Sequence, residues 1–174
     1  TIDPDFTSGS GDGYITGQNA TYATARSTST ASNYTDRLMD VGQMVPGDYY
    51  VRRSFLLFDT SSIGSGTVSQ VNLKLVMAYN YSVTDFDVQI VKHDWSGQTR
   101  EQMFDGCLAG TADDNIWQNT SGLSTYTKYT SGNLDTSWVD GSGTTYYSLR
   151  SSRDFGNITP TGNEIIRLTT SEYS

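Results

Sequence analysis

Five asparagines stand two residues before a serine or threonine: Asn19, Asn33, Asn80, Asn119 and Asn157. Asn-x-Ser/Thr with x other than proline is the acceptor triplet for N-linked glycans. Nine asparagines share the chain with 46 serines and threonines, so chance predicts about two or three such triplets. The excess points to N-linked glycans, and all five fall in expected loops or strand ends, where a bulky sugar is tolerated. Chance spacing in a Thr-rich chain is the competing account. The Ser/Thr/Ala/Asn tract at 27–35 is a candidate for O-linked sugars.

Other residues suggest different chemistry. Trp95, Trp117 and Trp138 offer flat apolar faces of the kind that stack on pyranose rings. Trp138 alternates with Ser137 and Val139 and reads as core, whereas Trp117, beside Asn115 and Gln118 in an expected loop, is the candidate ligand contact. His93 is the only histidine. A metal centre built on histidines is therefore excluded, and any Ser-His-Asp or Cys-His arrangement depends on it alone. Cys107 carries no flanking signature of a thiol nucleophile. Asp85 and Asp87 could pair as carboxylates for glycoside hydrolysis, but they read more simply as a polar strand face. Asp113-Asp114-Asn115, Asp135 and Asp140 have oxygens for calcium but lack EF-hand spacing. The expectation is no catalytic site, no metal and no cofactor. Arg52-Arg53, a basic doublet, is expected to pair with Asp48 or Asp59.

Composition sets the frame for these residues. The 174 residues carry net charge −8, which argues against a nucleic-acid backbone as partner. One cysteine rules out an internal disulfide framework. No apolar run approaches the roughly 20 residues that span a bilayer. No signal peptide is read; if the protein is exported, the sequence is its processed form.

The elements read as all-β. Residues 49–58 pass from polar to almost wholly apolar, as a strand buried on both faces does. After turn chemistry at 59–66, Val71, Leu73, Leu75 and Met77 alternate with polar residues. The two runs read as joined strands on one side of a sandwich. Phe86, Val88 and Ile90 alternate with Asp85, Asp87 and Gln89 in a half-buried strand. Further strands are expected at 14–16, 22–26, 124–130, 137–139, 144–150 and 164–170. A turn is expected at 42–48, and the 27–35 tract is placed at the surface. Thr99-Arg100-Glu101-Gln102 resembles a capping box opening one short helix over 98–108, with Met103 and Phe104 inward. Residues 1–13 read as a flexible arm and 14–174 as a single antiparallel jelly-roll β-sandwich.

Arg53-Ser54-Phe55-Leu56-Leu57-Phe58-Asp59-Thr60-Ser61 followed by Val71-Asn72-Leu73-Lys74-Leu75 resembles the paired strands of DNRLRE-type domains. Leu134-Asp135-Thr136-Ser137-Trp138-Val139, Tyr146-Tyr147-Ser148-Leu149-Arg150-Ser151-Ser152-Arg153-Asp154 and Pro160-Thr161-Gly162-Asn163-Glu164 are similar too. The resemblance implies a jelly-roll module related to carbohydrate-binding modules of microbial surface and phage proteins. Such relatives continue past a segment like Ser171-Glu172-Tyr173 into a final apolar strand. A groove left by that strand would expose unpaired backbone, which is costly unless a neighbouring subunit fills it. Repeated head to tail, that contact builds a filament. Residues 1–13, with Ile2 and Phe6 as their apolar members, are the candidate inter-subunit arm. The expected role is the repeating subunit of a glycosylated extracellular or cell-surface filament, its partners being identical subunits and glycans. The alternatives are a carbohydrate-binding module of a larger surface protein, or a phage tail or capsid-decoration domain.

Overall fold

The computed structural model describes residues 6, 9, 11–33, 38–112 and 115–169 of the 174. Ile2 of the expected arm lies outside them, as do Asp113 and Asp114. Among the described residues there are ten strands: β1 (Gly13–Asn19), β2 (Ala31–Asn33), β3 (Leu38–Met44), β4 (Tyr49–Asp59), β5 (Lys74–Asn80), β6 (Asp87–Lys92), β7 (Ile116–Asn119), β8 (Thr127–Thr130), β9 (Thr144–Ser151) and β10 (Glu164–Thr169). Three short helices accompany them: α1 (Tyr22–Ser27), α2 (Arg100–Ala109) and α3 (Ser152–Phe155). The fold is an all-β antiparallel sandwich, with three helical excursions where the sequence suggests one.

Every strand pair is antiparallel, in the order β7-β6-β9-β4-β3-β10-β5-β8, with β1 on β4 and β2 on β1. The long β4 changes partner along its length. Its Arg52 pairs with Gly42 of β3 while its Ser54 pairs with Leu149 of β9. Both partners lie on the edge opposite β1, which runs beside β4 from Phe55 to Tyr49. Within one continuous ten-stranded sheet β4 therefore changes neighbour along its length, and its alternate side chains serve two cores. Leu56 joins Met39, Leu75, Met77, Ile90, Leu149 and Leu168 in the first. Phe55 and Val51 face the other way and pack with Ile15, Ala25, Phe104 and Cys107 under α1 and α2. Burial on both faces, expected near the strand's apolar end, is found in mid-strand over Arg53–Leu56, while Leu57 and Phe58 are half-buried.

Several local expectations change. Residues 22–26 form helix α1, not a strand. Its Ala25 packs so close to β1 that a Cβ on Gly17 would sit 1.9 Å from the Ala25 carbonyl oxygen, and Tyr22 and Ala25, three apart, are its buried face. Residues 42–44 continue β3, so the turn contracts to the stretch around Gly47. The surface tract contributes the edge strand β2, and its Ser29 is buried, giving both its N–H and its hydroxyl to Glu101. Residues 137 and 138 belong to a 3-10 turn over Thr136–Trp138, which Val139 caps. β5 begins only at Lys74 and is no neighbour of β4; it lies between β10 and β8. The capping box at Thr99 and Gln102 forms as expected, with Met103 and Phe104 buried beneath it.

The expected groove is absent from the described sheets. Each strand inside the order is paired on both sides, and β10 sits between β3 and β5. The outermost described strands, β2, β7 and β8, have three or four residues, a length that blunts unspecific pairing.

Candidate functional site: an aromatic and basic outer face

Alternation along Leu73, Leu75 and Met77 would send Tyr79 into the core. A β-bulge prevents this. Leu168 of β10 pairs with Met77, yet the preceding Arg167 pairs with Tyr79, which leaves Ala78 as the extra residue. Such a bulge re-aims the side chains beyond it. Tyr79 emerges beside Arg167 on the outer face, 41 % exposed, and Tyr81 follows it at 45 %. Their rings stack at 5.7 Å and 19°. Tyr126, 70 % exposed, stands edge-on to Tyr79, with the two hydroxyls 3.0 Å apart. Tyr126 has φ of 59°, a left-handed conformation costing a non-glycine residue about 1–2 kcal/mol. Its N–H is held by the Met77 carbonyl. Val83, 75 % exposed, lies beyond Tyr81.

Charge continues this face across the strands. Arg167 donates twice to Asp40, at 2.7 and 3.0 Å. Arg52 reaches the same carboxylate and lies over the Tyr14 ring. Two guanidinium groups thus share one carboxylate, and Arg167 is held charged foremost by its hydrogen bonds to Asp40. Lys74 and Lys128, both exposed, extend the positive edge toward β8. Arg52 pairs with Asp40, not with Asp48 or Asp59: Asp48 accepts from Gln18, and Asp59 turns back on Ser61.

Arg53 departs further from expectation, because it is wholly buried. It makes a two-pronged pair with Asp154 at 2.7 and 3.0 Å and also donates to the Phe104 and Arg26 carbonyls. Burial opposes its charge, but the field and hydrogen bonds of Asp154 raise its pKa overall. Buried Arg150 gives three hydrogen bonds to carbonyls at the end of α2 and lies over Phe155. Arg153 clamps buried Glu164, which also accepts from Gln43. These ions tie helices to sheets. Sequence spacing gave no hint of it, since Arg53 and Asp154 are 101 residues apart.

The remaining candidates are placed as follows. Trp117 is 1 % exposed. It lies in strand β7 with its indole turned inward against Tyr129, so the loop position that suggested ligand stacking does not exist. Trp138 is core, as read. Trp95 is half-buried, its indole N–H directed to the Tyr147 carbonyl, on the wall of a shallow groove of about 410 Å³ with Leu57, Gln98, Arg100 and Tyr146. Cys107 is fully buried and its thiol is pushed up to about 11 by that burial, the profile of an inert cysteine. Asp85 and Asp87 accept from Thr120 and Asn119. No cluster of three His, Cys, Asp or Glu side chains occurs among the described residues. Among these residues, no helix is long and apolar enough to cross a membrane.

His93 has a testable consequence. Its ring is 8 % exposed, between Gln98 at 3.1 Å and Ser148 at 3.3 Å, and burial lowers its pKa below the usual 6.5 despite Gln98 and Asp94. The unfolded chain takes up this proton more readily than the folded one. The stabilisation is therefore complete above the unfolded value and is lost as pH falls through it toward the folded value. Denaturation midpoints measured from pH 7 down to pH 5 should fall, and H93Q should flatten that slope. An unchanged slope would remove His93 as its source.

The five acceptor asparagines all sit at strand ends or turns. Asn119 and Asn157 are exposed, whereas Asn80 is half-buried and donates its amide to the Thr120 carbonyl. Asn19, Asn80 and Asn119 each accept the N–H two residues on, at 3.1, 3.0 and 2.9 Å. The aspartates of Asp59-x-Ser61, Asp94-x-Ser96, Asp135-x-Ser137 and Asp140-x-Ser142 do the same. At Asp59, Asp135 and Asp140 these bonds from serine lower the carboxyl pKa. The pattern Asx-x-Ser/Thr is this fold's repeated turn device, used by residues that cannot accept a glycan as well as by those that can.

No protein-family model matches the chain, and no curated protein matches it. The fold and the outer face define an antiparallel β-sandwich with an exposed aromatic and basic surface.

Proposed function

We propose that this protein is a non-catalytic structural subunit of an extracellular or cell-surface filament, a filament-forming relative of the DNRLRE-type sandwiches, built from identical copies. The observation that carries this reading is the contiguous exposed cluster of Tyr79, Tyr81 and Tyr126, which sits beside the short edge strand β8. Apolar side chains next to unpaired backbone are the combination that strand-addition contacts use, and contiguous aromatic exposure marks interaction surfaces. The interior charges support the same reading, because Arg53, Arg150, Asp154 and Glu164 are consumed in bracing the fold. N-linked glycans at the acceptor asparagines would coat the polymer, with Asn119 and Asn157 the best exposed. The Asx turns give the triplets an independent reason to exist, so occupancy has to be measured directly.

Electron microscopy of native material, with intact-mass analysis of the same sample, tests the proposal. Filaments whose subunit mass exceeds that of the polypeptide by whole glycans are the expected result. Discrete monomers of bare polypeptide mass would discard it.

A second reading, a carbohydrate-binding module, is favoured by the Trp95 groove alone. It predicts polysaccharide affinity lost in W95A, with the tyrosine face uninvolved.

A further inference from the structure

We propose that Tyr79 and Tyr126 form an oxidative cross-linking site, at which a carbon–carbon bond between their rings tethers β8 to β5. This goes beyond the assembly reading and holds for a single chain, whether or not copies associate.

The two phenols are already arranged as the product would hold them. Their hydroxyls are 3.0 Å apart and their ring centroids 6.0 Å apart, with the planes crossing at 69°. In a coupled pair the new bond joins the carbons ortho to the two hydroxyls. Those hydroxyls are left side by side on twisted rings. Tyr81 is as near to Tyr79, but it stacks at 19° and so presents a face, not an ortho edge. Tyr22 and Tyr49 lie 5.9 Å apart, yet Tyr22 is buried with its hydroxyl donated to Gln43.

Exposure and rigidity favour the same pair. Among the described residues Tyr79, Tyr81 and Tyr126 are the exposed tyrosines, so an oxidant in solution reaches them and released protons pass to water. The β-bulge sets the direction of Tyr79, and the Tyr126 N–H is bound to the carbonyl of Met77, two residues before it. Groups held in reacting geometry combine within one molecule far faster than between molecules.

The chemistry needs a one-electron oxidant, which hydrogen peroxide acting through a haem peroxidase supplies. Each phenol gives up one electron and one proton, and the two phenoxyl radicals join at their ortho carbons. Each joined carbon then loses its hydrogen as a proton while its ring oxygen takes one up, restoring both hydroxyls. The two electrons and two protons released reduce one peroxide to two waters. Tyr79 and Tyr126 are 47 residues apart, so the bond closes a long loop and restricts the unfolded chain as a disulfide does. It also fastens the outermost strand β8 at its start.

Treating the dilute full-length chain with peroxide and a haem peroxidase tests the site. The expected product is a monomer lighter by two hydrogen atoms, with dityrosine fluorescence and a raised thermal midpoint. Trypsin should release residues 75–92 and 101–128 as one joined peptide, and Tyr126 is the only tyrosine of the second. Y79F and Y126F should each abolish that product, while Y81F should keep it. Circular dichroism verifies that these exposed substitutions leave the fold intact. Peptides that stay separate, coupling that needs Tyr81 instead of Tyr79, or linked dimers in place of the monomeric product would overturn the site. A coupled chain with an unchanged midpoint would overturn the tether.

Discussion

Replacing Asp154 by asparagine should destabilise the protein by about 3–5 kcal/mol, the usual consequence of removing one partner from a buried ion pair. The Arg53 guanidinium is 0 % exposed, so no water replaces the lost carboxylate. Its bonds to the Phe104 and Arg26 carbonyls remain, but neither supplies a negative charge. Arg26 loses the same partner, from 3.3 Å. Against a typical total of about 5–15 kcal/mol, such a loss moves a urea midpoint far with little change in m-value. The double variant R53M/D154L should recover most of it, because the isolated charge that makes D154N costly has then gone. A loss below about 1 kcal/mol for D154N would mean that the pair behaves as a surface bridge does.

Gly42 to alanine should be equally severe, for a steric reason. Gly42 has φ of +128°, and a Cβ there would lie 2.1 Å from the Glu164 carbonyl oxygen and 2.9 Å from the Ile165 Cα. Both obstacles are backbone of β10, held in register against β3 by the pairing of Gly42 with Ile165. Backbone strain and overpacking each contribute about 1–3 kcal/mol, and together they should strip the pairing of β3 with β10. Gly47 and Gly132 separate the causes. Gly47 has φ of +151° but open space around it, and Gly132 has open space alone. Thermal midpoints should therefore fall most in G42A, modestly in G47A and hardly at all in G132A. Equal falls in all three would refute the clash as the cause.

Much of the fold was legible because it rests on local periodicity. Phe86, Val88 and Ile90 alternate and are buried. Thr99 and Gln102 cap α2, and residues 49–58 form a strand buried on both faces over Arg53–Leu56. These signals survive because neighbouring residues generate them. Where two local readings competed, the outcome depended on partners. Residues 22–26 alternate like a strand but form α1, because Gly17 of β1 leaves room for a helix turn pressed against it. Trp117 sat among polar neighbours and read as a loop, yet pairing of β7 with β6 turned it inward.

The candidate surface was less legible still. Nothing in Leu75-Val76-Met77-Ala78-Tyr79 announces the bulge that sends Tyr79 outward, since a bulge is defined by the partner strand. The arginine pairings were missed because Asp40 and Asp154 are brought to Arg52 and Arg53 only by the sheet order. The acceptor asparagines were read from spacing, but the matching Asp-x-Ser turns became meaningful only once their hydrogen bonds were seen.

Composition and periodicity were therefore sufficient for an acidic, all-β sandwich with a capped helix, since those properties are summed over short windows of chain. Tertiary structure alone decided which strands are neighbours, which charges are buried and which aromatic rings face water. Each of those depends on contacts between residues far apart in sequence, and a single extra residue in one strand reverses every side chain beyond it.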